Sequence, residues 1–182
     1  PFCDPFCGSG TIPIEAALIA RNRAPGLNRA FDAEQWGFVP GNSWQQAKDE
    51  ARDKEFHGSY DIWGGDIDPH AVEIARHNAE LAEVDDTVRF EVDDATRFHW
   101  GGQYGRVVTN PPYGERLLEQ KEAEELYRAF GRAVDKLPET WRVYVLSSHT
   151  EFERCFGRTA DKKRKLYNGM LKCDLFMYGK RV

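Results

Sequence analysis

The sequence predicts an α/β domain whose sheet is mostly parallel and ends in a C-terminal antiparallel hairpin. Three observations lead there. Apolar strand-like runs are followed by turns carrying glycine or an acid, and then by helical patterns. The tetrapeptide Asn110-Pro111-Pro112-Tyr113 ends another such run, and Asn168-Gly169 separates the last two. Strands alternating with helices suit parallel βαβ units. Asn-Gly between strands suits a tight hairpin, because both turn positions need positive φ.

The first strand is a short apolar start that ends at Asp4. Asp4-Pro5-Phe6-Cys7-Gly8-Ser9-Gly10-Thr11 then leads into a helix whose apolar positions include Ile12, Ile14, Ala17, Leu18 and Ile19. Strand, glycine turn and helix open a nucleotide-binding unit, though the third glycine of the dinucleotide fingerprint is missing. Gly8 and Gly10 allow a ligand close to the backbone. Asp4 suits an ammonium group better than a phosphate, which it would repel. A purely structural turn is the competing reading.

A long insertion, residues 22–59, follows. It carries Trp36 and Trp44 and a helix expected over 44–56. Inserts of this length are often functional. This one is expected either to cover a ligand and shape a pocket or to serve as structural decoration.

The second strand, Tyr60 to Gly65, leads into Asp66-Ile67-Asp68-Pro69 and a helix through Leu81. An acid ending this strand is placed to accept hydrogen bonds from ribose hydroxyls. Asp66 comes first and takes that role. Asp68 caps the helix that Pro69 opens. The third strand, Val88 to Val92, ends in Asp93-Asp94-Ala95. Asp94, with Asp93 as alternative, can accept from an adenine amino group, and a neighbouring N–H can reach a ring nitrogen.

The fourth strand, Tyr104 to Thr109, delivers Asn110, Pro111, Pro112 and Tyr113. The prolines stiffen the loop and cannot donate backbone hydrogen bonds. An exocyclic base amine is a poor nucleophile because its lone pair is delocalised. The Asn110 side-chain carbonyl and the Pro111 backbone carbonyl could accept its two hydrogens and free that lone pair. Tyr113 could stack on the base. A helix over 119–137, a fifth strand over Trp141–Leu146 and the hairpin (163–167, then 171–178) complete the chain.

Taken together, these stretches resemble the S-adenosyl-L-methionine-dependent amino-methyltransferases. The closer resemblance is to the THUMP-associated RNA methyltransferases that make N2-methylguanine in bacterial 23S rRNA. It rests on DPFCGSGT and NPPY, then on Ala24-Pro25-Gly26-Leu27-Asn28-Arg29, on the NPPYG-E-R loop ending at Arg116, and on residues 161–169. The resemblance implies a Rossmann-like class I methyltransferase fold over residues 1–182. It also implies a cofactor site of Asp4, Phe6, Gly8, Gly10, Thr11, Asp66, Ile67, Asp94, Ala95 and Asn110, with Asn110 to Tyr113 catalytic. An RNA-binding THUMP domain is expected upstream in a longer polypeptide. Rival readings are adenine-N6 methylation of DNA, guanine-N2 methylation of tRNA, glutamine methylation of a release factor, and a catalytically silent RNA-binding module.

At 182 residues the chain suits one domain with a proper core. Cys3, Cys7, Cys155 and Cys173 show no zinc spacing and read as reduced thiols of a cytoplasmic protein, with no metal expected. No apolar run approaches a membrane span. The net charge of −5 is unhelpful for gripping RNA. The cationic candidates for phosphate contact are Arg21, Arg23 and Arg29, and the cluster of Lys162, Lys163, Arg164 and Lys165 with Arg158 and Lys172. A charged, aggregation-resistant edge strand is the alternative for that cluster.

Overall fold

A computed structural model describes residues 1–114 and 117–179, the side chains of 117 and 118 excepted. Glu115 and Arg116, which end the NPPYG-E-R stretch, lie outside the described residues. The strands are β1 (Phe2–Asp4), β2 (Ile62–Asp66), β3 (Val88–Val92), β4 (Arg106–Thr109), β5 (Arg142–Ser147), β6 (Lys162–Asn168) and β7 (Leu171–Tyr178). They form one sheet in the order β3-β2-β1-β4-β5-β7-β6. β1 to β5 run parallel, and β7 is antiparallel to both β5 and β6. The chain winds outward from β1 through β2 to β3, then returns to place β4 on the other side of β1. That reversal opens a crevice at the carboxyl ends of the strands, where open α/β sheets bind ligands.

The helices are α1 (Thr11–Ala20), α2 (Ser43–Asp53), α3 (Pro69–Leu81), α4 (Leu117–Val134) and α5 (Phe152–Phe156). Neighbouring residues of β2 show how the sheet divides its core, since successive strand side chains point to opposite faces. Ile62 joins the cluster under α1 and α3, with Ile14, Ala17, Val72, Ala75 and Phe90. Trp63 joins the larger cluster under α4 and α5, with Val107, Val145, Tyr127, Phe130 and Phe152. Phe152 meets Phe176 at 4.6 Å between ring centroids, and Phe156 meets Tyr178 at 4.8 Å. These ring contacts fix the hairpin to the helical layer.

The boundaries differ from the sequence reading in small, explicable ways. β4 begins at Arg106, and a Cβ on Gly105, just before it, would meet the Trp141 ring at 2.4 Å. α4 starts earlier than expected and ends at Val134, with residues 135–137 turning on short-range bonds such as Leu137 N–H to the Val134 carbonyl at 3.1 Å. α5 was not foreseen. Its five residues are too few to show a helical period.

The insertion packs against α1 through ion pairs. Arg23 is buried between Glu55, at 2.5 Å, and Glu83. Arg21 reaches Glu55 at 3.1 Å and Asp86 at 3.0 Å. Arg29 lies over the Phe31 ring, which stacks on Trp44. The expectation that Arg21 and Arg23 meet RNA is therefore corrected: both guanidinium groups are committed to holding the insertion.

Gly10 begins α1 in the left-handed region at φ +87°. A Cβ there would stand 2.9 Å from the Phe90 ring and 3.0 Å from the Ala75 methyl. Gly10→Ala is expected to cost about 1–3 kcal/mol through combined backbone strain and overpacking. Urea denaturation checks it; a midpoint equal to wild type would mean that the α1–α3 contact is looser than the structure shows.

Candidate active site

The crevice holds a cavity of about 400 Å³ whose wall comes from four successive strand ends. Pro5, Phe6 and Gly8 follow β1; Asp66 and Ile67 close β2; Asp94 and Ala95 follow β3; Asn110 and Pro112 follow β4, and Leu126 of α4 closes the side. The cofactor residues expected from sequence thus converge, with five exceptions across the two groups. Asp4, Gly10, Thr11, Pro111 and Tyr113 do not line this cavity, and neither does any residue of the 22–59 insertion. The insertion was expected to cover the ligand or to be decoration, and its place against α1 fits the second.

Asp66 organises the loop after β1 as well as facing the cavity. One carboxylate oxygen accepts the Gly8 N–H at 2.9 Å, and the other accepts the Asp68 N–H at 3.0 Å. Each oxygen retains a lone pair for a further donor. Gly8 sits at φ +52°, and Gly10 N–H returns to the Cys7 carbonyl at 2.8 Å, so the turn is tight and its N–H groups are directed. Asp68 caps α3 through the His70 N–H at 2.9 Å, with Pro69 in the first helical turn. Asp94 accepts from the Thr96 hydroxyl at 2.7 Å and the Thr96 N–H at 2.9 Å, which hold its carboxyl below the usual range. Asp93 does not line the cavity; its own N–H donates to the Asp66 carbonyl at 3.0 Å.

Asp4 lies beneath the cavity floor, 1% exposed. Its Oδ1 accepts the Thr109 hydroxyl at 2.5 Å and the Phe6 N–H at 3.1 Å. Among the described residues its Oδ2 is buried without a hydrogen-bond partner. Burial pushes the carboxyl up to about 7, against the pull of those two donors. The bond to Thr109 joins β1 to β4 at the point where the sheet order reverses. Cys7, also buried, is a thiol pushed up to about 12 by burial, consistent with packing rather than reactivity. Among the described residues no group of three or more His, Cys, Asp or Glu is placed to hold a metal, and no helix is long and apolar enough to cross a membrane.

The loop after β4 is held from three directions. The Tyr113 hydroxyl donates to Asn110 Oδ1 at 2.5 Å, and Cys173 Sγ of β7 lies 3.7 Å from the same hydroxyl. Burial pushes the Tyr113 phenol up to about 12, so it remains a donor at neutral pH. The Tyr127 hydroxyl donates to the Pro112 carbonyl at 2.6 Å. Gly114, at φ +66°, lets the chain pass so near the first turn of α4 that a Cβ would meet the Glu119 carbonyl at 2.5 Å. Sequence reasoning placed Asn110 as a free acceptor. In the structure that oxygen already accepts the Tyr113 proton and offers its second lone pair. Sequence reasoning also missed Tyr127, Thr109, Pro5 and Leu126. Tyr127 is fully buried among Phe130, His149 and Phe152, so its apolar spacing signals core. Only the general need of a buried phenol for a partner hinted at more.

The family model described as "UPF0020: RMKL-like, methyltransferase domain" matches residues 1–176. The putative RNA methyltransferase YpsC of Bacillus subtilis (strain 168) is 46% identical over 186 residues, covering 100% of this chain and 47% of that protein. The ribosomal RNA large subunit methyltransferase K/L of Shewanella baltica (strain OS185) is 39% identical over 96% of this chain and 25% of its own length. The chain therefore spans less than half of either relative. Among solved structures, SMU.472, a putative methyltransferase complexed with SAH, superposes with a TM-score of 0.94 at 45% identity, covering 100% of this chain and 48% of that one.

The buried Asp4 carboxyl makes a pH prediction. Its folded pKa of about 7 lies above the ordinary value of 3.8, so between those limits the folded state binds more protons than the unfolded one. Stability should therefore fall as pH rises from about 4 to about 7, by on the order of a few kcal/mol, and level off above. Asp4→Asn should remove that slope. Urea titrations of both proteins at pH 5 and pH 7.5 check it, and equal pH dependence in the two would refute the assignment.

Proposed function

This chain belongs to the family described as "UPF0020: RMKL-like, methyltransferase domain", and on that premise we propose that it methylates an exocyclic amino nitrogen of an RNA base using S-adenosyl-L-methionine. Guanine N2 in 23S rRNA is the first choice of target. The observation that carries the reading is the convergence of Gly8, Asp66, Asp94 and Asn110 on one cavity. This is the set that a nucleoside cofactor and a methyl-accepting amine need side by side. The SAH complex of SMU.472 supports the choice of cofactor, and the rRNA and RNA methyltransferase relatives support the choice of substrate.

The cofactor, when bound, supplies an electrophilic methyl group on a sulfonium centre. Asp66 would accept the ribose hydroxyls on the lone pairs that Gly8 and Asp68 leave free. Asp94 would accept the adenine amino group, with the Ala95 N–H at the ring. Gly8, Gly10 and Thr11 shape the turn beside the methionine part, with Phe6 and Ile67 as its apolar neighbours. Asp4 supports that turn from below through the Phe6 N–H. Asn110 Oδ1 and the Pro111 carbonyl would take the two amine hydrogens and turn the nitrogen lone pair toward the methyl. Tyr113 would stack on the flipped base. Alignment is then the chain's main contribution to rate. Acidity and partial coverage of the relatives also fit recruitment to RNA by a further domain, of THUMP type, in the same cytoplasmic polypeptide.

Mass spectrometry of nucleosides after reaction with labelled cofactor tests the proposal, with unmodified rRNA, tRNA and DNA offered side by side to the full-length protein. Label in N2-methylguanosine from rRNA is expected. Label from tRNA would change the substrate, and label in N6-methyladenine would change the base. Absence of label despite cofactor binding would overturn the reading. Asn110→Ala is expected to abolish transfer while leaving cofactor affinity within about threefold, measured by calorimetry. Tyr127→Phe is expected to lower kcat about tenfold or more at unchanged cofactor affinity, because the Pro112 carbonyl loses its anchor.

A further inference from the structure

The six cations proposed as an RNA-facing cluster do not form one surface. Strand pairing divides them. Lys162 lies opposite Met177, Arg164 opposite Leu175, Leu166 opposite Cys173 and Asn168 opposite Leu171; these pairs share one face of the hairpin. Lys163 opposite Phe176, Lys165 opposite Asp174 and Tyr167 opposite Lys172 share the other. The second face is the one covered by α5, since Phe176 packs on Phe152. Lys163 is paired there with Glu153 of α5 at 2.7 Å, and Lys165 stands across from the acid Asp174. Arg158 is paired with Asp161 and lies over the Tyr178 ring.

The first face meets the catalytic loop. Cys173 Sγ is 3.7 Å from the Tyr113 hydroxyl. Ser147, the last residue of β5, pairs with Asp174, so Cys173 and the hairpin tip beyond it rise past the carboxyl edge of β5, beside the crevice. Arg164 is two residues from Leu166, the cross-strand neighbour of Cys173, and Lys162 is two further. Same-face side chains on a strand are spaced about 7 Å apart, so the two cations make a ladder leading away from Tyr113. Both are exposed, and neither is held in an ion pair among the described residues. Leu171, at the tip, adds exposed apolar surface on the same face.

We propose that this face receives the RNA strand on one side of the target base, with Arg164 and then Lys162 taking successive phosphates, while Lys165 and Lys172 on the opposite face take none. The inference rests on RNA being the substrate. It makes two of the cations specific and assigns the others to holding or solubilising the sheet edge.

Two charge reversals in the full-length protein test it. The first is Lys162→Glu with Arg164→Glu; the second is Lys165→Glu with Lys172→Glu, which changes net charge equally. The first pair is expected to raise KM for RNA at least tenfold, with kcat and cofactor affinity changed less than threefold. It should also reduce the salt dependence of RNA binding by about 1–2 in the slope of log affinity against log salt. The second pair is expected to stay within threefold throughout. Equal losses in both pairs, or none in the first, would overturn the proposal. Cofactor affinity and thermal midpoint report folding; should the first pair unfold, Arg164→Gln alone is expected to raise KM several-fold. Wild-type protein that methylates DNA or protein but no RNA would instead sink the substrate reading on which the proposal rests.

Discussion

The site depends on one buried hydrogen bond between strands that are far apart in sequence. Asp4 ends β1 and Thr109 ends β4, and their side chains meet at 2.5 Å under the crevice floor. A carboxylate taken out of water is costly, and two donors on one Asp4 oxygen offset part of that cost. One donor lies in the loop after β1 and the other at the end of β4. Phe6 belongs to the loop after β1, and Thr109 directly precedes Asn110. A single side chain therefore ties the turn after β1 to the end of β4, one residue before Asn110. Backbone pairing alone stops short of this, because the β1–β4 register covers only Phe2 with Arg106 and Cys3 with Val107.

Above that floor, stiffness is built from acceptors that are already in use. Pro112 has no N–H, so its carbonyl is the backbone handle the residue offers, and Tyr127 takes it. Asn110 is oriented by the Tyr113 hydroxyl rather than by the strand. Asp66 is oriented by Gly8 and Asp68. Asn110 arrives with one internal bond, and Asp66 and Asp94 with two each; these fix direction and leave capacity for a ligand. A side chain with no such bond would pay more entropy on binding and would present its acceptor less accurately.

The strand ends and their local turns were legible in the sequence because they depend on local rules. Asp68 before Pro69 reads as a cap, the G-x-G turn reads as a close approach, and Asn168-Gly169 reads as a hairpin. The structure has the cap and the hairpin, and it puts both glycines of the turn at positive φ, with Gly8 but not Gly10 lining the cavity. Asp66 ahead of Asp68, and Asp94 ahead of Asp93, also followed from position, and both preferred residues line the cavity. What stayed hidden depends on pairs distant in sequence. Nothing near Tyr127 indicates that its hydroxyl meets Pro112, and nothing near Arg23 indicates Glu55 and Glu83. The division of the basic cluster was hidden for a related reason. Consecutive lysines look like one patch until a strand sends alternate side chains to opposite faces.

That division bears on how an acidic domain can handle a polyanion. Its net charge of −5 would repel RNA if the charge were spread evenly. Much of the positive charge is not available to a partner. Arg21, Arg23, Lys48, Lys54 and Lys163 are paired with acids of their own chain. Such pairs contribute little field at a distance, since the two charges cancel within a few ångströms. The field outside the domain is then set by the unpaired groups. On the hairpin those include Arg164 and Lys162, on the face that carries Cys173 and runs away from Tyr113, so the uncancelled positive charge there flanks the loop after β4. A surface of that kind selects a strand already brought close by another means, and contributes more to placing it than to capturing it.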